Sequence, residues 1–262
     1  VGGEILVDFS ILAIAQNTFP NGLWWIKDRA NNNQHQLVDS LRGAGVTTTC
    51  PGLAETSYAA PSGSSVAWCW NWNQASPSTN GFDIVTWTGD GVADRLVPTG
   101  FTEDVEFSIV FCRDRTNTYA VTWHKSLGID NAIAINSSES AYDLFSWTSG
   151  WAVGDGTNLK LGSGDSPLSN AIGDRYFAYC WHSVPNYSAF GSYQGNNSVD
   201  GVFIHTGMKP AWLMIKRANK EDHWAVYDNT RSPNNPAMLQ LYPDLKNPED
   251  SNTSNNPIDF LS

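Results

Sequence analysis

Apolar and polar residues alternate over short stretches through most of this chain. YAVTWHK (119–125) and WAVYD (224–228) show it clearly, with one side apolar and the other wet. This is the two-residue period of a half-buried strand. SIVF (108–111) and WLMI (212–215) are instead continuous apolar runs, as a strand covered on both faces requires. Further short stretches rich in β-branched and aromatic residues, each bounded by turn residues, predict strands. They are GLWWIK (22–27), SVAWCWNW (65–72), FDIVTWTG (82–89), VEFSIVFCR (105–113), RYFAYCWH (175–182), AFGSYQG (189–195) and GVFIHTG (201–207). AWLMIKR (211–217) and HWAVYD (223–228) read the same way. No stretch holds a helical period for three turns, and QHQLVDSLRG (34–43) predicts one or two helical turns at most. Turns such as Asn80-Gly81, Gly89-Asp90-Gly91 and Gly154-Asp155-Gly156 supply residues that tolerate positive φ. Strands at this spacing predict an antiparallel sandwich or barrel. The proline- and asparagine-rich stretch 229–257 predicts a long ordered loop laid over it.

The strands come in repeated phrases. Ala67-Trp68-Cys69-Trp70 returns as Ala178-Tyr179-Cys180-Trp181, and WTGDGVADRLVPTGF (87–101) returns as YQGNNSVDGVFIHTGM (193–208). A third phrase occurs three times, at 24–43, 110–128 and 214–232. A period of roughly a hundred residues is too long for a solenoid or propeller blade and fits a small β-sandwich unit. The expected fold is therefore all-β, with antiparallel β-sandwich (jelly-roll or lectin-like) modules in tandem. The expected boundaries are an N-terminal strand over 1–16, a partial first module over 17–81, a second over 82–186 and a truncated third over 187–262. The third copy lacks the aromatic-Cys-Trp strand, and the chain does not open on Met, so a piece of a longer polypeptide is expected. ILVDFSILAIA (5–15) is expected to pair into a sheet of this molecule or of a neighbouring copy.

Composition narrows the partners. Only 16% of residues are charged, Trp occurs 12 times, and the net charge is −11. An acidic chain without a basic stripe does not bind a phosphate backbone. The apolar run at 5–15 is about half of what spans a bilayer, so no membrane insertion is expected. Cys50, Cys69, Cys112 and Cys180 include no C-x-x-C pair, and buried thiols are expected, with Cys69 and Cys180 at matching places in separate cores.

Several phrases, in order, carry a resemblance: WIKDRANNNQHQLVDSLRGAG, SVAWCWNW, YSAFGSYQGNNSVDGVFIHTGMKPAWLMIKR and YDNTRSPNNPA. Over roughly residues 17–262 the chain resembles a repeated module of marine bacteriophage (cyanophage-type) tail-fibre and other virion structural proteins. The resemblance implies a component of the virion surface and supplies no catalytic residue, ligand or cofactor. The expected protein is non-enzymatic, a tail fibre or fibre-like appendage that attaches to the host surface. Its expected partners are its own copies, such as a trimer, other virion proteins and a host glycan. The alternatives are a capsid-decorating or head-fibre protein, and a secreted glycan-degrading enzyme or lectin-like adhesin.

Candidate chemistry is sparse. Trp147 and Trp151 lie in a Gly/Ser-rich segment without a counterpart in the repeats, close to Asp155 and Asn158. Flat aromatic faces beside polar groups suit a glycan, so these four residues are the candidate ligand site, against core packing of the tryptophans as the plainer account. His35, His124 and His223 fall near matching places in the three copies, as do Asp39, Lys125 and Asp228. The basic strand ends Lys27-Asp28-Arg29, Arg113-Asp114-Arg115 and Lys216-Arg217 are expected to pair with carboxylates. Asp90, Asp94, Asp155 and Asp165 sit in turns, where a simple hairpin is the plainer reading than calcium; no metal site is expected. No nucleophile elbow or H-E-x-x-H is present.

Overall fold

The computed structural model of the chain describes residues 5–6, 20–43, 45–53, 55–61, 64–116, 118–129, 131–143, 152–162, 164–198, 200–250 and 257–261. Among them the regular structure is antiparallel strand, with two three-residue 3-10 turns at Pro77–Thr79 and Lys125–Leu127. The all-β, nearly helix-free expectation is met.

The first sheet is built from β1 (Ile5–Leu6), β2 (Gly22–Asp28), β3 (His35–Asp39), β4 (Val46–Cys50), β5 (Glu55–Ser57) and β6 (Ser65–Asn71), in the order β1-β6-β2-β3-β4-β5. The chain continues through β7 (Phe82–Thr88), β8 (Leu96–Pro98), β9 (Phe107–Cys112), β10 (Val121–His124), β11 (Asn131–Ala134), β12 (Tyr142–Asp143), β13 (Ala152–Asp155), β14 (Asn158–Leu161) and β15 (Arg175–Trp181). These give a second sheet, β12-β11-β10-β9-β15-β7, and a small one, β13-β14-β8. Last come β16 (Trp212–Ile215) and β17 (Ala225–Asp228), a two-stranded sheet.

Register ties the repeated phrases together. Trp24 of β2 pairs with Cys69 of β6, and Ser108 of β9 pairs with Cys180 of β15. Ile5 and Leu6 pair with Trp68 and Ala67, as Ile84 and Val85 pair with Tyr179 and Ala178. Leu23 pairs with Asp39, Phe107 with His124, and Trp212 with Asp228. The runs β1-β6-β2-β3-β4 and β7-β15-β9-β10-β11 therefore correspond strand by strand, and β16-β17 repeats β2-β3 and β9-β10. Gly22 is required where β2 meets β6, because a Cβ there would lie 2.0 Å from the Trp70 carbonyl oxygen.

The copies do not keep separate cores. One apolar cluster joins Leu23, Trp25, Leu37 and Trp68 of the first sheet to Ile109, Phe177, Tyr179 and Trp181 of the second, and to Trp224, Val226 and Leu241. Trp70 and Trp181 meet edge to face at 6.0 Å, and Trp70 and Trp212 at 5.4 Å. On the area scale each fully buried aromatic contributes about 4–6 kcal/mol, as an upper bound, against about 0–1 kcal/mol for an exposed ion pair. The shared aromatic cluster, not surface charge, holds the sheets together.

Sequence reading and structure part in three places. QHQLVDSLRG is not helical: His35–Asp39 is strand β3, with Leu37 and Val38 buried and β2 and β4 on either side. Pairing on both edges outweighs the weak local helix preference. Val46-Thr47-Thr48-Thr49-Cys50, absent from the predicted strands, is β4, where β-branched side chains suit the pleat. Conversely, 189–195 and 201–207 form no strand, and Tyr193, Val202, Phe203 and Ile204 are exposed.

None of the four cysteines forms a disulfide, and all are buried. Cys69 and Cys180 point away from the shared core into outer clusters, because Trp68 and Tyr179, one residue earlier, face inward. Burial pushes the Cys50 and Cys180 thiols far above their usual range. A thiol reagent should find no fast-reacting cysteine in the native chain and four on unfolding without reductant. One fast thiol under native conditions would contradict the buried assignment.

Candidate functional site

Of the four residues singled out for ligand binding, Trp147 and Trp151 lie outside the described residues. Asp155 and Asn158 are brought together, paired across the β13–β14 hairpin. Gly156 closes that turn at φ 58°, a conformation that favours glycine. Asp155, on the edge strand, is exposed and Asn158, on the middle strand, is half-buried, at the turn end of the small sheet that carries Leu159 and Leu161 inward.

The acidic turns have partners of their own. Asp90 accepts from the Val92 backbone at 2.9 Å and pairs with Arg95 at 3.1 Å. Asp94 pairs with Lys160 at 3.1 Å, and Asp165 accepts from the Ile172 backbone at 2.7 Å. Among the described residues no group of three His, Cys, Asp or Glu is placed to hold a metal, and no helix is long and apolar enough to cross a membrane.

The arginines of the first two basic strand ends pair with carboxylates across long stretches of sequence, whereas Lys27 and Lys216 meet carbonyls and Arg217 donates to Asn219 at 3.3 Å. Arg29 meets both oxygens of Glu249 at 3.0 and 2.6 Å, and Arg113 meets Glu55 at 3.1 Å. The Lys27 amine is held by the carbonyls of Asp28, Asn31 and Lys246, at 2.6, 3.3 and 3.2 Å. Burial pulls its pKa down to about 8, against the nearby Asp28 charge. Lys216 repeats the arrangement with the carbonyls of Arg217 and Ser138.

The three histidines are not equivalent. By register His124, not Lys125, takes the place of Asp39 and Asp228. His35 lies deep in the core, while His223 sits at the surface against Asp244 at 2.6 Å.

The register exposes a polar cluster that the sequence reading passed over. Asp39 and Arg42 form a buried ion pair at 2.6 Å, three residues apart, and Asp228 and Arg231 form another at 2.5 Å. In each, the carboxylate also accepts the arginine's own backbone N–H at 2.8 Å. In each, the guanidinium donates to the carbonyl two residues before the aspartate, Leu37 or Val226. In each, an aromatic from another copy of the repeat completes the clasp. The Tyr179 hydroxyl donates to Asp39 at 2.8 Å, and the Trp68 indole N–H donates to Asp228 at 3.1 Å. Burial holds the Tyr179 hydroxyl well above its usual pKa, so it stays a donor. Tyr179 and Trp68 are the same position of the Ala-aromatic-Cys-Trp phrase. The signal was present as Asp-x-x-Arg in the first and third copies, and the second copy has His124 and Leu127 instead. Filled on every side by protein, these clasps fasten sheets together and leave no room for a substrate.

Among the described residues an open cleft of about 460 Å³ lies at the start of β2, lined by Asn21, Trp72, Asn73, Gln74 and Ala75. Its carboxamides can donate and accept hydrogen bonds, but the Trp72 indole N–H is already given to Asp83 at 2.7 Å. Among its described lining residues there is no nucleophile, acid or base.

No curated protein and no solved structure matches the chain. A family model, Domain of unknown function (DUF7483), matches residues 44–262, most of its length, and the chain belongs to that family.

Proposed function

We propose that this chain is a non-enzymatic surface protein of a bacteriophage virion, built from tandem β-sandwich units and serving as a tail fibre or fibre-like appendage. The observation that carries the reading is repetition: one strand order and register built twice, begun a third time, and fastened by the same clasp in two copies. Repeated units of this kind extend or display a surface, and several like sites gain avidity on a repetitive target. The resemblance of the repeated phrases to virion proteins supplies the setting. The described polar clusters are engaged in structural pairing, which agrees with a non-catalytic role.

In this reading the host glycan is met by Trp147 and Trp151 together with the Asp155–Asn158 hairpin. Replacing both tryptophans with alanine should lower adsorption of the purified chain to host cells at least about tenfold, the weight of roughly 1.4 kcal/mol. The melting temperature should not move. A fall in stability without a specific loss of adsorption would make these tryptophans core residues. Antibody labelling of intact particles tests the setting: signal on the tail supports the fibre, signal on the head supports capsid decoration, and none overturns both.

A further inference from the structure

We propose that the open edge of β16 is an acceptor site for one more antiparallel strand, of the pattern Ala-aromatic-Cys-Trp, contributed by another unit of this same repeat. In the first sheet β2 lies between β3 and β6, and in the second β9 lies between β10 and β15. Their counterpart β16 has β17 on one side and, among the described residues, no strand on the other. The consequence shows in burial. Every residue of β2 and β9 is buried, whereas all four residues of β16 are only half-buried. Among the described residues the buried indole N–H of Trp212 has no hydrogen-bond partner. An unpaired edge beside an incompletely covered apolar face is a template for strand addition.

The two finished copies say what fits. Leu23 and Phe107, the counterparts of Trp212, pair with Trp70 and Trp181. Trp24 and Ser108, the counterparts of Leu213, pair with Cys69 and Cys180. Trp25 and Ile109 pair with Trp68 and Tyr179, which sets an aromatic opposite Met214. An incoming strand therefore lays its aromatics on the side where Trp212 already meets Trp68 and Trp70. Its small Ala and Cys face the side of Leu213.

The clasps point the same way. The first copy's Asp39 takes the second copy's Tyr179, and the third copy's Asp228 takes the first copy's Trp68. Continued around, the second copy's position, His124, is the one left for an aromatic of the third. Its ring neighbours are Phe107 and Phe190. The acceptor site stands on register and burial and does not depend on the virion reading.

The test uses the whole chain and a synthetic peptide of residues 175–182, RYFAYCWH. The control, RFYYAWCH, has the same composition with inward and outward residues exchanged, which turns its aromatics to the wrong face. Titration should show at least about tenfold tighter binding of the first peptide. In a second arm the peptide cysteine carries a 2-thiopyridyl disulfide: the Leu213→Cys thiolate should attack the peptide sulfur and release pyridine-2-thione, leaving a protein–peptide disulfide, and Met214→Cys, opposite an aromatic, should be captured far less. No binding to the unaltered chain, equal binding of both peptides, or equal capture at 213 and 214 would overturn the proposal. Each of these results leaves the adsorption experiment unaffected.

Discussion

Arg231→Met should lower the unfolding free energy by about 3–5 kcal/mol, the usual cost of stripping one partner from a buried ion pair. Both side chains of the Asp228–Arg231 pair are fully buried. Without the guanidinium, the Asp228 carboxylate keeps the Trp68 indole N–H, the backbone N–H groups of Thr230 and residue 231 and the more distant Arg29 charge, but no cation in direct contact. The carbonyl of Val226 loses one of its two donors and keeps the Leu241 N–H, and Glu249 loses a contact at 2.8 Å. For a chain of this size the melting temperature should fall by roughly 10 °C. Arg42→Met should behave alike, since Asp39 stands in the same geometry with Tyr179 in place of Trp68. Arg175→Met, which breaks a solvent-exposed pair with Asp114, should move the melting temperature little. If Arg231→Met and Arg175→Met are equally mild in calorimetry, the clasps are not what fastens the sheets.

Acid should destabilise the chain well before its carboxylates titrate, because His35 is buried in its neutral form. The Trp25 indole N–H donates to His35 Nδ1 at 2.9 Å, so the ring proton sits on Nε2, which donates to the Tyr242 carbonyl at 2.9 Å. Protonation of Nδ1 would break the first bond and place a charge in the aromatic core, against Trp68. Burial lowers the pKa to about 3, helped by the Lys27 and Arg231 charges and opposed by the Tyr242 carbonyl. Below the ordinary pKa near 6.5 the unfolded chain therefore takes up a proton that the folded chain refuses, down to about 3. Stability rises with pH across that window, by about 1.4 kcal/mol per unit. From pH 6.5 to 4.5 the loss from His35 alone should be about 2–3 kcal/mol. His124, lowered by burial and then by Lys125, adds a smaller loss of the same sign. Asp28 is held low against the pull of burial by hydrogen bonds from Asn31 and Asn33, so its contribution fades only at more acid pH. Urea unfolding of the native chain and of His35→Gln at several pH values checks this. The variant should lose most of the slope between pH 6.5 and 4.5, and an unchanged slope would place the titrating group elsewhere.

Much of the architecture was legible along the chain. Most predicted strands exist because alternation, β-branching and turn residues act over neighbouring positions, as in β10 and β17. The repeated phrases predicted which strands correspond, and Cys69 and Cys180 take matching places in the register, opposite Trp24 and Ser108. Two predicted strands, 189–195 and 201–207, have the right local pattern and no strand neighbour among the described residues. A strand needs a partner, and a local pattern does not supply one. QHQLVDSLRG erred the other way, since its strand exists through β2 and β4.

The polar clusters were harder to read for the same physical reason. Asp-x-x-Arg is an ordinary surface pair by spacing alone, worth about 0–1 kcal/mol. It becomes a buried clasp only when Tyr179 or Trp68 arrives from more than a hundred residues away, with |i−j| of 140 and 160. Likewise, His35, His124 and His223 look alike in their phrases and end in a core, a strand end and the surface. What the sequence determined by itself was the kind of element each stretch forms and which stretches are copies, because side-chain period and turn chemistry are local. What only the tertiary structure decided was which copy's acid meets which copy's aromatic, that the copies share one core, and which strand edge stays open. Those depend on how whole sheets dock, and docking energy is a property of surfaces brought together from distant parts of the chain.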